Sequence, residues 1–458
     1  MAWSLVFMFM ILCASLLIAA VLRANLRPLQ AYHVPNAITA GFVGLGLMEV
    51  VKVAVPDLAL DKETLGNIVY HLLAVGFISI ALKKRERYMS RDSLTTAFHL
   101  SLGYAVEGFI GFVLTLAFLY TIMPGIFPTF GMLFEIGFGQ SSGQAYALGK
   151  QWEALGFAEG GTVGLAFGAI GFLWGCFVGI PFLNWGIRKG YVKEADRASL
   201  RNRGFLPRGA LQTETTRSTT HPDVIASGAF HLAVIGGIYL VDYAFIRFVV
   251  FLLGKTGVAF ALQFGTILWA YHSFFATLFA LLTATVLDRY GLRRILDDGT
   301  LTGISAASVD FLMAASIMAI EMVVVVRYVL PIAVISVVGG VLIMLFIVWI
   351  ARRGYSDHIF ERSVAMFGLL TGTAGTGLAL LRVIDPDYRT PAAGDLILGS
   401  GFSLFLGFPL LLLINVPALN RTTSAYLLTA AAIAGYIAIL FGVMIPLGLI
   451  GRPRDIRP

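Results

Sequence analysis

Charge is scarce in this sequence. Only 13% of the 458 residues are charged, whereas 58% are hydrophobic. A water-soluble domain cannot bury that much apolar surface, and apolar runs of about 20 residues have the length that crosses a bilayer. The composition therefore excludes a soluble globular protein and predicts an all-α polytopic membrane protein.

Cysteine is also scarce. The chain has two, Cys13 and Cys176, and each lies inside an apolar run. This arrangement argues against a disulfide framework or a metal cluster. The sequence also lacks a phosphate-binding loop, a metal-binding motif and a nucleophile motif. We therefore expect the protein not to be an enzyme and to need no cofactor apart from a coupling ion.

About eleven apolar runs are long enough to span a bilayer. They comprise residues 3–22, 35–53, 65–82, 95–123, 162–185, 225–253, 260–287, 306–326, 331–350, 396–418 and 426–450. The first run lacks the basic residues that precede the apolar core of a signal peptide, so we expect it to be a membrane span.

Two short tracts interrupt this pattern with small and polar residues. Residues 138–149 have the sequence Phe-Gly-Gln-Ser-Ser-Gly-Gln-Ala-Tyr-Ala-Leu-Gly, and residues 370–379 have Leu-Thr-Gly-Thr-Ala-Gly-Thr-Gly-Leu-Ala. Irregular backbone at membrane depth is tolerated only where protein buries it or water reaches it. The tracts predict re-entrant hairpins near 131–150 and 364–382. Each alone is also compatible with a close contact between two helices.

The two hairpins occupy corresponding places in two halves of the chain. Residues 71–80 align without gaps on residues 311–320, and each copy precedes its hairpin by one long span. We predict two inverted-topology repeats of about five spans each, a plan typical of secondary transporters. The expected organisation is a first repeat (1–187), a cytoplasmic linker (188–223), a second repeat (224–418), and an extra C-terminal helix with a basic tail (419–458).

The net charge of +7 does not indicate nucleic acid as a partner. The basic residues lie in short loops between apolar runs, which is the pattern that orients membrane spans. If each hairpin enters and leaves on one side, every strongly basic loop falls in the cytoplasm when the N-terminus is outside. We therefore expect a multi-pass protein of the cell (inner) membrane with a cytoplasmic C-terminus. The first hairpin is then on the outer side and the second on the inner side.

A stripe of glycines marks the span that follows the first hairpin. Its members are Gly161, Gly164, Gly168, Gly171, Gly175 and Gly179. Steps of three or four residues place them on one helix face. We expect this face to permit close backbone approach by the neighbouring hairpin.

The chain resembles the sodium/glutamate symporter family from its second span to about residue 418. The first hairpin of that family typically has the sequence Ser-Gly-Gly-His-Gly-Thr-Gly, and here residues 137–143 stand in its place. The second typically has Gly-Ala-Thr-Pro-Thr-Ala, and here residues 372–377 stand in its place. The matching positions are Gly139, Gly143, Gly372 and Thr376. Gln140 replaces the family histidine and Gly375 replaces the proline.

The resemblance implies a sodium-coupled importer of an anionic amino acid. It further implies a homodimer and an elevator-like movement of the hairpin-bearing part, with sodium as the coupling ion. The two replacements fall where recognition should be tightest. We therefore expect the substrate to be glutamate or a related small organic acid.

Broken helix ends suit such a substrate. Helix N-termini carry about half a positive charge and unpaired N–H groups that bind carboxylates, while unwound carbonyls and hydroxyls bind sodium. We expect Ser142 and Thr376 to lie closest to the sodium ion or the substrate. The candidate binding residues are Gly139, Gln140, Ser141, Ser142, Gly143, Gln144, Thr371, Gly372, Thr373, Gly375, Thr376 and Arg382.

Structural roles stay open for several of these residues. Each hydroxyl group can instead bond its own helix backbone, and Arg382 can pair with Asp385 or Asp387. Glu107, inside a span, is either a structural hydrogen-bonding group or the candidate for proton coupling if the ion is not sodium. A proton-coupled organic-anion transporter and a passive channel of the same architecture are therefore the alternative functions.

Overall fold

The computed structural model describes residues 3–32, 34–54, 61–84, 90–192, 219, 225–385 and 389–456. Within these ranges the chain is helical and contains no β-strand. Eleven helices are long and apolar enough to cross a membrane. The prediction of an all-helical polytopic membrane protein is confirmed.

Nine α-helices precede the polar segment within the described residues. In chain order they are α1 (Trp3–Asn25), α2 (Arg27–Ala31), α3 (Asn36–Ala54), α4 (Lys62–Ala81), α5 (Arg91–Tyr120), α6 (Met132–Glu135), α7 (Ser142–Glu153), α8 (Gly160–Phe177) and α9 (Gly179–Arg188). A π-helix, Ile136–Gln140, lies between α6 and α7. The predicted linker begins where α9 ends, and from residue 193 onward it lies outside the described residues except for Thr219.

The remaining helices follow the polar segment. They are α10 (Ser227–Lys255), α11 (Ala259–Ile267), α12 (His272–Arg289), α13 (Asp298–Met318), α14 (Met322–Arg327), α15 (Val329–Gly354), α16 (Ile359–Leu370), α17 (Ala374–Ile384), α18 (Ala392–Leu413), α19 (Val416–Leu419) and α20 (Thr423–Met444). Two 3₁₀ turns, Leu268–Tyr271 and Leu292–Ile295, flank α12.

One predicted span is displaced in the structure. The apolar run at 306–326 predicts a helix there, but α13 occupies Asp298–Met318 and the rest of the run forms the separate helix α14. The early start has a local cause, because the Asp297 side chain accepts a hydrogen bond from the backbone N–H of Thr300 at 2.8 Å and caps the helix. A hydropathy pattern does not predict a helix cap of this kind.

The first compact unit consists of Met1–Ala24, Pro35–Arg87 and Gly204–Ala319. Within it α4 packs along α13, α3 packs on α13 and α12 packs on α4. Glycine permits the approach of α3 to α13. A Cβ atom on Gly41 would lie 2.5 Å from Cβ of Ile317, and one on Gly44 would lie 2.4 Å from Sδ of Met318.

The second compact unit consists of Asn25–Val34, Tyr88–Arg203 and Ile320–Pro458. It contains the first broken segment (residues 131–150), the second broken segment (residues 364–382) and the glycine-striped helix α8. Each of the two units thus combines parts of both predicted repeats.

A buried arginine stabilises the start of the second broken segment. Arg362, in the first turn of α16, is 2% exposed, and its guanidinium contacts Asp357 and Asp395 at 2.8 Å and Asp92 of α5 at 2.9 Å. The other carboxylate oxygen of Asp395 accepts a hydrogen bond from Ser93 at 2.6 Å. The network ties α16 to α5 and α18. From the sequence, Arg362 is one more basic loop residue, and nothing local predicts its burial.

Candidate functional site

The first broken segment is interrupted by a single extended residue. The chain runs through α6 and the π-helix to Ser141, whose backbone is extended (φ −175°, ψ 152°), and then enters α7. The Ser141 hydroxyl accepts a hydrogen bond from the backbone N–H of Gln144 at 3.1 Å. Serine at this position is a typical N-cap, and π-helical turns are frequent at functional sites. The break occurs inside the tract that the sequence predicts.

The second broken segment repeats this arrangement. After α16 the chain passes Thr371 and Gly372 to Thr373, which is extended (φ −147°, ψ 169°) and precedes α17. The Thr373 hydroxyl accepts from the backbone N–H of Thr376 at 3.4 Å. Both breaks therefore end in a hydroxyl-capped helix N-terminus that begins with small residues.

The glycine face of α8 receives the first of these helix N-termini. A Cβ atom on Gly168 would lie 2.4 Å from Cβ of Ser142, and one on Gly164 would lie 2.4 Å from the carbonyl oxygen of Ala145. Any larger side chain on α8 would push α7 away. The close approach that the glycine stripe predicts is confirmed for these two residues.

The same face also receives the second N-terminus. A Cβ atom on Gly171 would lie 2.8 Å from the carbonyl oxygen of Thr371 and 3.2 Å from Cα of Phe138, so residues of both breaks meet there. A Cβ atom on Gly175 would lie 3.0 Å from Cγ2 of Thr376. Gly168 and Gly175 are separated by seven residues, or about 10 Å along the helix. Both broken ends therefore lie on two adjacent turns of α8.

Polar groups of the first N-terminus are buried without partners. The hydroxyl of Ser142 and the side-chain amide nitrogen of Gln144 have no hydrogen-bond partner among the described residues, although the two residues are 0% and 2% exposed. Buried polar side chains are normally satisfied. These two groups are therefore candidates for binding a ligand.

Hydroxyl groups near the second N-terminus already form hydrogen bonds within the segment. The Thr371 hydroxyl donates to the carbonyl oxygen of Phe367 at 2.8 Å. Thr371 therefore bonds its own helix backbone, which is the structural role that the sequence analysis kept as an alternative to ligand binding. The hydroxyls of Thr373 and Thr376 lie 3.4 Å apart. Thr376 lies in the first turn of α17 with its methyl carbon Cγ2 toward Gly175 of α8, and its hydroxyl lies near Gly372 and the Thr373 hydroxyl.

The glycines of the two breaks have different surroundings. A Cβ atom on Gly139 would lie 2.4 Å from Oε2 of Glu107, and one on Gly372 would lie 2.8 Å from Oγ1 of Thr376. Gly143 is buried in the first turn of α7. Gly375, where the resembling family has proline, meets only the Thr373 hydroxyl, at 3.4 Å. Gly139 and Gly372 therefore each permit a side-chain oxygen to lie close to the backbone. At Gly375, by contrast, a Cβ atom would have no neighbour closer than 3.4 Å.

Arg382 does not join the other candidates at the break. It is exposed in the last turn of α17, eight residues and about 12 Å beyond the start of that helix. Lys150 likewise lies in the last turn of α7, away from the break, and forms an ion pair with Glu153 at 2.9 Å. The structure places both cations at the far ends of the two helices.

A pair of buried carboxylates lies beside the first break. Glu135, the last residue of α6, accepts a hydrogen bond at Oε1 from the Gln140 amide at 2.6 Å. Its side chain would lie 3.7 Å from a Cβ atom on Gly108, the neighbour of Glu107 in α5. Sequence reasoning selects Glu107 but gives Glu135 no role, because a single acidic residue near a turn has no distinctive spacing.

The fold and this geometry define a multi-pass helical membrane protein. Two broken helices meet on one glycine face, and at the first break the buried Ser142 hydroxyl and Gln144 side-chain nitrogen have no hydrogen-bond partner among the described residues. This is compatible with a membrane transporter or channel. The chain matches no protein-family model, no curated protein and no solved structure.

Proposed function

We propose that the protein is a secondary active transporter that couples uptake of a small organic anion to a cation, with sodium and glutamate as the first pair to test. The observation that carries the proposal is the meeting of two helix N-termini on α8. The Ser142 hydroxyl and the side-chain nitrogen of Gln144 are buried at the first of them, without a hydrogen-bond partner among the described residues. A carboxylate is the ligand that such helix ends favour. The sodium/glutamate symporter resemblance supplies the ion and the amino acid.

The packing of the two units supports a repeat architecture. In the first unit α3 contacts α13 and α12 contacts α4. If α3 corresponds to α12 and α4 to α13 in the two repeats, these two contacts are equivalent, as two related repeats would make them. In the second unit both broken segments share one compact body. We propose two inverted repeats with re-entrant segments, and an elevator-like cycle in which the second unit moves as one body. A homodimer in the cell membrane, with its C-terminus in the cytoplasm, completes the proposal.

The proposal is tested by uptake of radiolabelled glutamate into proteoliposomes. We expect accumulation with an inward sodium gradient and none when potassium replaces sodium. Ser142→Ala and Thr376→Ala should each lower the initial rate about tenfold or more, because a hydrogen bond to a charged group contributes about 1.5–3 kcal/mol. Ser142→Ala should leave the unfolding temperature unchanged, since its hydroxyl bonds no other described residue.

Ser400→Ala is the matched control. Its hydroxyl bonds only the backbone of α18, at 3.0 Å from the carbonyl oxygen of Ile397, and we expect wild-type uptake. Equal uptake by wild type and Ser142→Ala would contradict the placement of the site. Glutamate equilibration without accumulation, whatever the gradient, would favour the passive channel.

A further inference from the structure

The pair formed by Glu107 and Glu135 has no counter-charge in the described chain. Both residues are 0% exposed, they interact electrostatically, and neither forms an ion pair with any described residue. Both oxygens of Glu107 and Oε2 of Glu135 have no hydrogen-bond partner there. The single contact is the bond from Gln140 to Glu135. Three of the four carboxylate oxygens of the pair therefore lack a hydrogen-bond partner among the described residues.

The surrounding elements do not supply the missing positive charge. The titratable groups that interact with the pair are Tyr104 of α5 and Tyr436 of α20. Helix α8 contains no charged residue. The arginine of α5 itself is Arg91, sixteen residues and about 24 Å along the helix from Glu107, and Arg362 of α16 is held at the neighbouring Asp92. Two fully buried carboxylates that interact with each other are not both expected to stay ionised without a cation.

The space around Glu107 favours a proton over a metal ion. Oε2 of Glu107 lies 2.4 Å from the position of a Cβ atom on Gly139, and the Tyr104 ring lies 3.0 Å from the same position. The carboxylate is thus packed directly against the π-helix. A metal cation would need several further oxygen atoms around it, whereas a proton needs only one carboxylate oxygen.

We propose that Glu107 and Glu135 form the site of a coupling proton, which one carboxylate takes up from water and later releases during the transport cycle. Proton uptake forms the O–H bond of the carboxylic acid and breaks an O–H bond of a hydronium ion, and release reverses both changes. The site adjoins the first N-terminus, because Gln140, which bonds Glu135, directly precedes the capping Ser141. This inference rests on the proposed function and adds a coupled proton to the sodium ion proposed there.

The proton itself is tested without any transport substrate. Infrared difference spectra of the purified protein, taken between neutral and alkaline pH in choline chloride, should contain the carbonyl stretch of a protonated carboxylic acid. Glu107→Gln or Glu135→Gln should remove that band. Glu153→Gln, which changes an ion-paired residue of α7, should retain it. Retention of the band in both Glu107→Gln and Glu135→Gln would overturn the proposal. Loss of the wild-type band when sodium chloride replaces choline chloride would also overturn it.

Coupling is tested in the transport assay. With the same inward sodium gradient in every sample, an added inward proton gradient should accelerate glutamate uptake by wild type and by Glu153→Gln, and this response should be lost in Glu107→Gln. A full response in Glu107→Gln would overturn the coupling role. Absence of glutamate uptake by wild type under every gradient would contradict the proposed function instead, and the infrared result then decides the proton site alone.

Discussion

Replacing Arg362 with alanine is expected to lower the free energy of unfolding by about 3–5 kcal/mol, because it leaves buried carboxylates without their cation. Arg362 contacts Asp92, Asp357 and Asp395 within 2.9 Å, and it is 2% exposed. Since Asp395 lies on α18 and Asp92 on α5, the loss should loosen the start of the second broken segment from both helices.

Thermal unfolding of the purified protein in detergent measures this effect. Arg188→Ala, at the exposed end of α9, is the control and should change stability by no more than about 0.5 kcal/mol. Arg362→Lys should give an intermediate value, because an ammonium group retains the charge but not the planar fork of donors. Equal unfolding temperatures for Arg362→Ala and Arg188→Ala would refute the stabilising role of the network.

The Gly168→Ala variant is expected to lose both stability and uptake. Its new methyl group would lie 2.4 Å from Cβ and 2.7 Å from Cα of Ser142, so either α7 or α8 must move. Overpacking of this kind costs about 1–3 kcal/mol. The displacement falls on the first turn of α7, where the proposed site is built. Unfolding temperature and glutamate uptake should therefore fall together.

Gly394→Ala is the matched control for that variant. Gly394 lies in α18, and a Cβ atom there would meet nothing within 4 Å. In a helix interior, replacing glycine by alanine is favourable by about 0.5–1 kcal/mol when space allows. We expect an unchanged or higher unfolding temperature with normal uptake. Wild-type stability and uptake in Gly168→Ala would show that α7 does not need this close approach.

Local sequence predicted the helix breaks well. Ser141 and Thr373 are extended residues that cap the following helix, and both lie within tracts chosen for their small and polar composition. The glycine stripe of α8 also predicted the approach of a neighbouring backbone. These features depend on residues that are close in the chain, so periodicity and turn chemistry are sufficient to find them.

Other features could not be predicted from local sequence. Arg362 and Arg382 are both arginines near the second break, yet one is 2% exposed inside a carboxylate cluster and the other is exposed. Glu135 acquires its candidate role only because α6 packs on α5 beside Glu107. In each case the partner lies far away in the chain, so spacing and composition carry no information about it.

The sequence by itself determined that this protein is helical, spans a membrane many times and is broken at two glycine-rich tracts. It could do so because hydrocarbon satisfies no backbone group, so long apolar runs must form helices and polar interruptions must be enclosed. Only the tertiary structure decided that both breaks meet on one face of α8, that Arg362 is buried, and that Glu107 lies beside Glu135. Those contacts depend on which faces of distant helices pack together, and hydropathy does not distinguish a face that meets lipid from one that meets protein.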